Sequence, residues 1–295
     1  MSINTLPIHD LRDIIEDWTI SVLNSISASD STANLALYAL HLSRILAYPK
    51  LQVNNVLDSL DSIGKELQIS LKNRMPLRPT QIIEEINNYL FKILGFRGNV
   101  HDYFNPSNNF LNVVLERRLG IPITLSILYM RIAYSLDFKL YPVSFPAHFL
   151  VKHILEGDNG EIIIDPYNEG RIMDDYTLKQ LLDQFYPNQN IPLTKDFVRN
   201  ATATQVMVRI LNNLKTCYYE SQDLSNTEIA NEMILALDKY NPNAVRDKGI
   251  LLLKKQRPEQ ALEMLNLYLE LDPEAEDVDV ILDTIHKARS GINKG

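Results

Sequence analysis

The chain has 295 residues, of which 45% are hydrophobic and 22% charged, so it can bury a large core and is not disordered as a whole. Its formal net charge is −8 and no basic run exceeds two residues, which argues against nucleic-acid binding because phosphates would repel it. The single cysteine, Cys217, excludes an intramolecular disulfide and a zinc site built from cysteines.

The N-terminal part of the chain predicts helices, because apolar residues recur there at helical spacing. The amphipathic stretches are residues 11–48, 51–72 and 80–94. Asp30 and Ser31 are N-cap candidates within the first stretch, Thr80 caps the third and Gly95 ends it. Residues 96–109 are polar and rich in Asn, so they predict a connecting loop.

The central part predicts a buried helix followed by a small antiparallel sheet. A short helix over residues 110–118 stops at Gly120, and Pro122 suits the first turn of the next helix because its missing N–H needs no partner there. That helix is apolar on most sides, so we expect it to be buried. The tetrad Gly157-Asp158-Asn159-Gly160 predicts a hairpin loop between the second and third of three strands. The strands are Lys139–Phe145, His148–Leu155 and Glu161–Asp165.

After Pro192 the chain returns to amphipathic helices. They are predicted over residues 196–221, 226–240, 244–256, 258–271 and 277–289. Pro242 and Pro273 each follow such a helix, and the small residues Gly249 and Ala261 let two antiparallel helices approach closely. The pattern resembles a tetratricopeptide helix pair.

No segment predicts a membrane span or a secretory leader. The longest strongly apolar region, Ile121 to Ala133, is interrupted by Pro122 and Arg131 and is too short to cross a bilayer. The N-terminal residues contain no basic region followed by an apolar stretch. We therefore expect a cytoplasmic protein with no membrane partner and no nucleic-acid partner.

His148 begins one predicted strand and Asp165 ends the next. An even number of residues in the hairpin loop places both side chains on one face of the sheet. A loop at 157–160 would leave them about 13 Å apart at roughly 3.3 Å per residue, whereas a tighter loop or a bulge would bring them together. An Asp that accepts from the imidazole would support a general base; alternatively, the hydrogen bond only joins two strands.

The core and the tail also resemble a known family. The similarity lies in FRGNVHDYFNPSNNFLNVVLERRLGIPITLSILYMRIA, FPAHFLVK and IIIDPYNEGR, and extends through NAVRDKGILLLKKQRPEQALEMLNLYLELDPEAEDV. These stretches are similar to the bacterial SirB-type family of transglutaminase-like proteins with a tetratricopeptide tail, over roughly residues 35–290. The resemblance implies a papain-like core, in which a nucleophilic Cys at a helix N-terminus meets a His and an Asp on neighbouring strands.

The resemblance assigns His148 in PAHFLV and Asp165 in IIDPYN to the family His and Asp. The nucleophile position falls on Pro122 in Gly120-Ile121-Pro122, where catalytic relatives have G-x-C. Proline has no reactive side-chain atom. Cys217 lies in a predicted tail helix, where we interpret it as a small buried hydrophobe.

Two hydroxyls in the same helix are alternative nucleophiles. Thr124 could reach the site entrance, but a hydroxyl needs a base within about 3 Å to be activated. Ser126 replaces a small residue that usually packs against the sheet, so packing is its predicted role. A metal site on His148 and Asp165 would need a third ligand that the spacing does not supply, so we expect no metal and no other cofactor.

Polar loop residues on both sides of the core are candidates for lining a cleft. They are Arg97, Asn99, Asp102, Tyr103, Asn109, Tyr167 and Asn168. Loops often carry binding residues. The alternative is that these residues form turns held by their own side-chain hydrogen bonds.

These patterns predict an α+β fold that is predominantly helical. It has a helical N-terminal part (1–95), a transglutaminase-like core with a small antiparallel sheet (96–192) and a tetratricopeptide-like helical tail (193–295). We predict a non-catalytic regulatory protein whose tail binds a protein partner. The alternative is a hydrolase or acyltransferase of amides or esters that uses His148 and Asp165 with water or a non-cysteine nucleophile. The sequence does not fix the oligomeric state.

Overall fold

The computed structural model describes residues 8–24, 33–157 and 160–292. The chain divides into two compact units, Met1–Ile210 and Leu211–Gly295. Helices dominate and the largest sheet is small and antiparallel, so the predicted α+β, mostly helical class is confirmed. The predicted caps Asp30 and Ser31 and the hairpin residues Asp158 and Asn159 lie outside the described residues.

Helices form the N-terminal part of the first unit. They are α1 (Ile8–Asn24), α2 (Leu35–Leu46), α3 (Val53–Leu71) and α4 (Pro79–Asn87), and a π-helical turn (Asn88–Ile93) extends α4. The predicted cap of α4, Thr80, is wrong, because Pro79 already occupies the first helical position and Arg78 is the N-cap. The Arg78 backbone N–H donates to Oε1 of Gln81 at 3.0 Å, which satisfies an amide at the start of the helix.

Two short strands, one before and one after α5 (Leu111–Arg117) in the chain, pair in parallel, which the sequence did not predict. Arg97 and Gly98 make β1, which pairs with β2, Leu119 and Gly120. The prediction of a plain loop over residues 96–109 is therefore wrong, since that segment contains β1 and a 3₁₀ turn at Pro106–Asn109. The pairing partners lie more than twenty residues apart, so no local pattern indicated them.

The central helix α6 (Pro122–Ser135) is buried on most sides, as its composition predicted. Helix α3 packs closely against α6 at Gly64, because a side chain at this position would overlap Ser135 of α6. A polar pair also fixes the helix against α3, since Arg131 binds both carboxylate oxygens of Asp61 at 2.7 and 2.8 Å. Helix α6 therefore provides a fixed support for the sheet.

The sheet has four antiparallel strands in the order β3-β4-β5-β6. The strands are β3 (Tyr141–Val143), β4 (Leu150–Ile154), β5 (Glu161–Asp165) and β6 (Arg171–Met173). The predicted first two strands are too long at their ends, and β6 was not predicted. The predicted loop at 157–160 is also wrong by one residue, because Leu155 N–H donates to the Gly160 carbonyl at 2.9 Å. Gly160 has φ +95°, a conformation that glycine adopts without strain.

One face of the sheet packs on α7 (Asp175–Phe185) and on the chain that follows it. Buried Phe145, Leu150 and Leu182 share one apolar cluster with partly buried Phe197 of a 3₁₀ turn at Lys195–Val198. The first predicted tail helix is therefore wrong at its start, and α8 (Ala203–Glu220) begins later. Thr202 sets that start, because its hydroxyl accepts from Gln205 N–H at 3.2 Å while Gln205 Oε1 accepts from Thr202 N–H at 2.9 Å.

The second unit consists of helix pairs. After α8 come α9 (Leu224–Leu237), α10 (Pro242–Lys254), α11 (Pro258–Leu271) and α12 (Val278–Ile292). Gly249 of α10 lies against Leu265 of α11, where a Cβ atom would come within 2.7 Å of the Leu265 side chain. This close approach is the one that Gly249 and Ala261 predicted. Among the described residues, no helix has the length and apolar character needed to cross a membrane.

Candidate active-site remnant

The register of β4 and β5 brings His148 and Asp165 near each other. Val151 pairs with Ile164, and the same register places Asp165 opposite Leu150, two residues beyond His148. His148 lies in a turn before β4 and not in the strand, with its N–H bonded to the Phe145 carbonyl at 3.1 Å. The turn, with Ala147 at φ +52°, brings the imidazole back to Asp165. Nε2 of His148 lies 2.7 Å from Oδ2 of Asp165.

Asp165 is buried, and its carboxylate accepts four hydrogen bonds. Oδ1 accepts from the backbone N–H groups of Tyr167 at 3.0 Å and Asn168 at 3.3 Å. Oδ2 accepts from the Asn168 side chain at 2.6 Å and from His148. Burial by itself raises the pKa of Asp165, but the bond and charge of His148 and the bonds from Asn168 outweigh it, and the net pKa lies below the ordinary value. Asp165 is thus held as the carboxylate.

The ionised Asp165 determines the proton position on His148. A carboxylate only accepts, so Nε2 carries the hydrogen, and in the neutral form of the ring Nδ1 carries the lone pair. The imidazole is 11% exposed, and its ring meets that of Tyr167 edge-on with centroids 5.9 Å apart. This arrangement is that of an oriented general base with one nitrogen turned away from its carboxylate.

The start of α6 contains the other residues predicted near the imidazole. Pro122 is the first helical residue and is buried. The Thr124 hydroxyl accepts from Ile121 N–H at 3.1 Å and donates to the Asn108 carbonyl at 2.8 Å, so it caps the helix. The Ser126 hydroxyl donates to the carbonyl of Phe149, next to His148, at 3.2 Å. Both hydroxyl protons are therefore directed at backbone carbonyls and not at the imidazole.

Asn99 and Asp102 belong to a hydrogen-bonded loop. Buried Asn99 donates to Oδ1 of Asn108 at 3.0 Å and accepts from Asp102 N–H at 3.2 Å. Asn108 in turn donates to the carbonyl oxygens of Asp102 and Tyr103 at 2.6 and 3.1 Å. These hydrogen bonds fix the conformation of residues 99–108. Asn99 and Asp102 therefore form a turn held by side-chain hydrogen bonds, which was the alternative to lining a cleft. Asn108 lies at the centre of this loop and is fully buried.

Tyr167 and Asn168 lie close to the His148–Asp165 pair, and Tyr103 influences Tyr167 electrostatically. A side chain at Gly98 would overlap the Tyr167 ring, so the ring lies directly on β1. Burial raises the pKa of Tyr167, and the charges of Tyr103 and Asp165 add to that increase. Asn168 contacts Asp165 directly. Strand β1 and the turn between β5 and β6 therefore meet beside the imidazole.

Two predicted cleft residues have different environments. Arg97 is exposed on β1. Asn109 is buried, and within the described part of the chain its Oδ1 has no hydrogen-bond partner. Neither residue hydrogen-bonds to His148 or Asp165 among the contacts of the described residues. Cys217 is buried within α8, as expected of a small apolar side chain.

Comparison with known proteins agrees with this architecture. Residues 54–212, more than half of the chain, match the family model of the transglutaminase-like superfamily. The chain belongs to the transglutaminase-like superfamily. Residues 214–286 match a tetratricopeptide repeat model. The transglutaminase-like core and the tetratricopeptide tail predicted from the sequence are therefore both confirmed.

Several relatives are similar to this chain in sequence. A UPF0162 protein of Xylella fastidiosa is 32% identical over 274 residues, which cover 91% of this chain and 95% of the relative. A UPF0162 protein of Haemophilus influenzae is 27% identical over 237 residues, covering 78% and 86%. F-box only protein 21 of Pongo abelii is 32% identical over 209 residues, which are 66% of this chain and 32% of that protein.

The transglutaminase-like core also depends on polar residues that the sequence reasoning missed. The Tyr129 hydroxyl of α6 donates to Oδ1 of Asn87 at 2.8 Å, and Asn87 donates to the Gly170 carbonyl at 2.9 Å. This chain of bonds fixes the turn that follows Asp165. The spacing of the three residues gave no signal for it. Arg209 of α8 is a further missed residue, because a lone Arg in an amphipathic helix is typical of an exposed surface.

Within the described residues there is no group of three or more His, Cys, Asp and Glu side chains able to hold a metal ion. His148 and Asp165 are used by each other and by Asn168. Asp165 uses Nε2 of His148 and leaves Nδ1 without a contact to its carboxylate.

Proposed function

We propose that this transglutaminase-like protein is non-catalytic and uses its former active site for recognition. The residue that carries the proposal is Pro122, the first residue of α6, which the family resemblance aligns with the nucleophilic cysteine. A proline ring has no atom that can attack a carbonyl group or be activated by a base. His148 and Asp165 would then act as a fixed polar wall of a binding cleft.

The hydroxyls of α6 support the same proposal. Thr124 and Ser126 donate their protons to the carbonyl groups of Asn108 and Phe149. A nucleophilic hydroxyl must instead donate to the base that activates it. Both side chains are fully buried, so rotating either one toward the cleft would leave a backbone carbonyl without its donor.

We propose a protein partner for the tail, because tetratricopeptide units stack helix pairs into extended binding surfaces. We also propose that the chain is a SirB-type bacterial protein of the cytoplasm with no nucleic-acid or membrane partner. The support is the family resemblance of the motifs and the acidic net charge. We further propose that the chain has three parts: a helical N-terminal part (1–95), a transglutaminase-like core (96–192) and a tetratricopeptide-like tail (193–295).

The experiment that tests the non-catalytic proposal is an amide-transfer and amide-hydrolysis assay on the full-length protein. The substrates are a glutamine-containing peptide with an amine acceptor and a set of peptide and ester chromogenic substrates. We expect wild type and His148→Ala to release product at the same background rate. Turnover by wild type that His148→Ala abolishes would refute the proposal.

The alternative is a hydrolase of amides or esters that uses water. One observation favours it: Asp165 orients His148 with Nε2 protonated, which leaves Nδ1 able to accept a proton from water. Under this alternative, Asp165→Asn would lower kcat strongly while leaving KM nearly unchanged, because it disturbs the tautomer and not the binding surface. The same assay distinguishes the two functions.

A further inference from the structure

Arg209 of α8 lies beside the turn that carries His148. Its Nη1 donates to the Ser144 hydroxyl at 2.9 Å and to the Phe145 carbonyl at 3.0 Å. The Phe145 carbonyl also accepts the His148 backbone N–H at 3.1 Å. One carbonyl oxygen therefore joins the guanidinium group to the turn of the candidate site.

The charge of Arg209 is not matched by an acidic side chain. In the part of the chain that the structure describes, no carboxylate lies within ion-pair distance of Arg209, whereas Arg131 and Arg246 each bind an Asp. Burial lowers the pKa of Arg209, which reflects the loss of water around the group. The guanidinium carbon instead lies 5.7 Å from the centroid of the Phe149 ring.

The hydrogen-bond donors of Arg209 are only partly used. Both described bonds come from Nη1, so Nε and Nη2 have no acceptor among the described residues. These two nitrogens form the planar edge that binds the two oxygens of a carboxylate or phosphate in parallel. Arg209 is partly exposed, and neither nitrogen is among the fully buried polar atoms that lack a partner in the described part of the chain, so this edge is accessible to a ligand from solvent.

The surroundings of Arg209 indicate which anion fits. Tyr103 acts on the pKa of Arg209 in the direction opposite to burial, and on the same loop Val100 and Phe104 are 69% and 67% exposed. A dianion would be repelled by Asp165 and by the net charge of −8. A single carboxylate on an apolar group matches one guanidinium edge beside apolar side chains.

We propose that the cleft binds a ligand carboxylate attached to an apolar group, as at the C-terminus of a peptide that ends in an apolar residue. Arg209 receives the carboxylate on its Nε and Nη2 edge, and the loop of Val100, Tyr103 and Phe104 contacts the apolar group. This inference deepens the proposed function, on which it rests, by naming the class of ligand for the same cleft.

The test uses the peptide N-acetyl-Ala-Ala-Phe with a free carboxylate and the same peptide with a C-terminal amide. Binding to the full-length protein is followed by NMR through the ring signals of His148 and Tyr103. We expect saturable shifts with the acid and a Kd that is about tenfold higher for the amide, since the amide loses the charge-assisted pair. Equal binding of the two peptides, or no saturable binding of the acid, would overturn the proposal.

Variants locate the effect. Arg209→Gln should abolish the preference for the acid, and Arg209→Lys should retain part of it because a lysine keeps the charge without the planar edge. The control Arg199→Gln removes an exposed arginine of the same unit and should leave the preference unchanged. Since Arg209 also braces the Phe145 turn, the His148 ring signals of each unliganded variant must match wild type, and Arg209→Lys remains the deciding variant if Arg209→Gln does not fold.

Two further outcomes separate this inference from the proposed function. Tighter binding of inorganic phosphate than of the acid peptide would overturn the carboxylate assignment. Release of phenylalanine from the peptide in a His148-dependent manner would contradict the non-catalytic function and leave the role of Arg209 intact. Loss of the acid preference alone would contradict the role of Arg209 and leave the non-catalytic function intact.

Discussion

The core and the tail each contain a polar network, but only one of them is complete. In the tail, Asp277 accepts from Tyr268 and from Arg246, and Arg246 also binds Asp247 at 2.9 Å. Every charge in that group has an opposite charge beside it, which raises the pKa of Arg246 and lowers that of Asp277 against the opposing effect of burial. Such a closed network explains stability and offers nothing to a ligand.

The network in the core is open at two points. The Asp165 carboxylate is saturated, but His148 has one nitrogen directed away from it and Arg209 has one edge without an acceptor. Both side chains are partly exposed, so their unused hydrogen-bonding atoms can be reached by a ligand. The comparison shows that the useful sign of a binding site is not the size of a polar cluster. It is the presence of hydrogen-bond donors or acceptors that have no partner within the cluster.

The largest expected effect is on the network of the core. Asp165→Ala removes the acceptor for Tyr167 N–H, Asn168 and His148 at once, and we expect it to lower the free energy of unfolding by about 3 kcal/mol. Urea denaturation at pH 7 measures it. The control Glu84→Ala, at an exposed site in the same unit, should change the stability by less than about 0.5 kcal/mol. Equal effects of the two substitutions would contradict the assigned network.

Part of that stability should depend on pH. The pKa of Asp165 is lowered in the folded chain, so its contribution is complete above the ordinary value of 3.8 and is lost as the pH falls through the lower folded value. The stability difference between wild type and Asp165→Asn should therefore shrink as the pH falls below about 4. A difference that grows on acidification would mean that the folded pKa is raised instead.

Restoring a thiol tests the position of Pro122 in the core. Pro122→Cys should place a sulfur where the imidazole of His148 can activate it, and alkylation by iodoacetamide should be about tenfold faster than for the buried Cys217 of wild type. The double variant Pro122→Cys with His148→Ala should lose most of that increase. A thiol of unchanged reactivity in the single variant would show that Pro122 does not face the imidazole.

The smallest expected effect is on the closed network of the tail. Tyr268→Phe removes only the hydroxyl that donates to Asp277, and Arg246 still neutralises that carboxylate at 3.0 Å. We expect a loss of about 1 kcal/mol in urea denaturation. Tyr240→Phe removes an exposed hydroxyl of the same unit and is the matched control. A loss as large as that of Asp165→Ala would show that the tail network is no more tolerant than that of the core.

Features set by local pattern could be read from the sequence. The tail helices, the buried α6, and the close contact of Gly249 with Leu265 follow from the spacing of apolar and small residues, because a helix repeats its face every few residues. The superfamily and the tetratricopeptide tail were recognisable because their motifs are contiguous in the chain. The nearness of His148 and Asp165 could be predicted only up to the unknown length of the hairpin loop.

The tertiary structure alone decided the details of the site. The register that ends at Leu155 and Gly160, the turn at Ala147, the pairing of β1 with β2 and the approach of Arg209 to Phe145 all join residues by contacts that the local sequence does not encode. Such contacts depend on which elements pack together and how closely, and that is determined by the whole core at once. The sequence by itself thus determined the elements and the family, while packing determined which polar groups were satisfied and which kept unused hydrogen-bonding capacity.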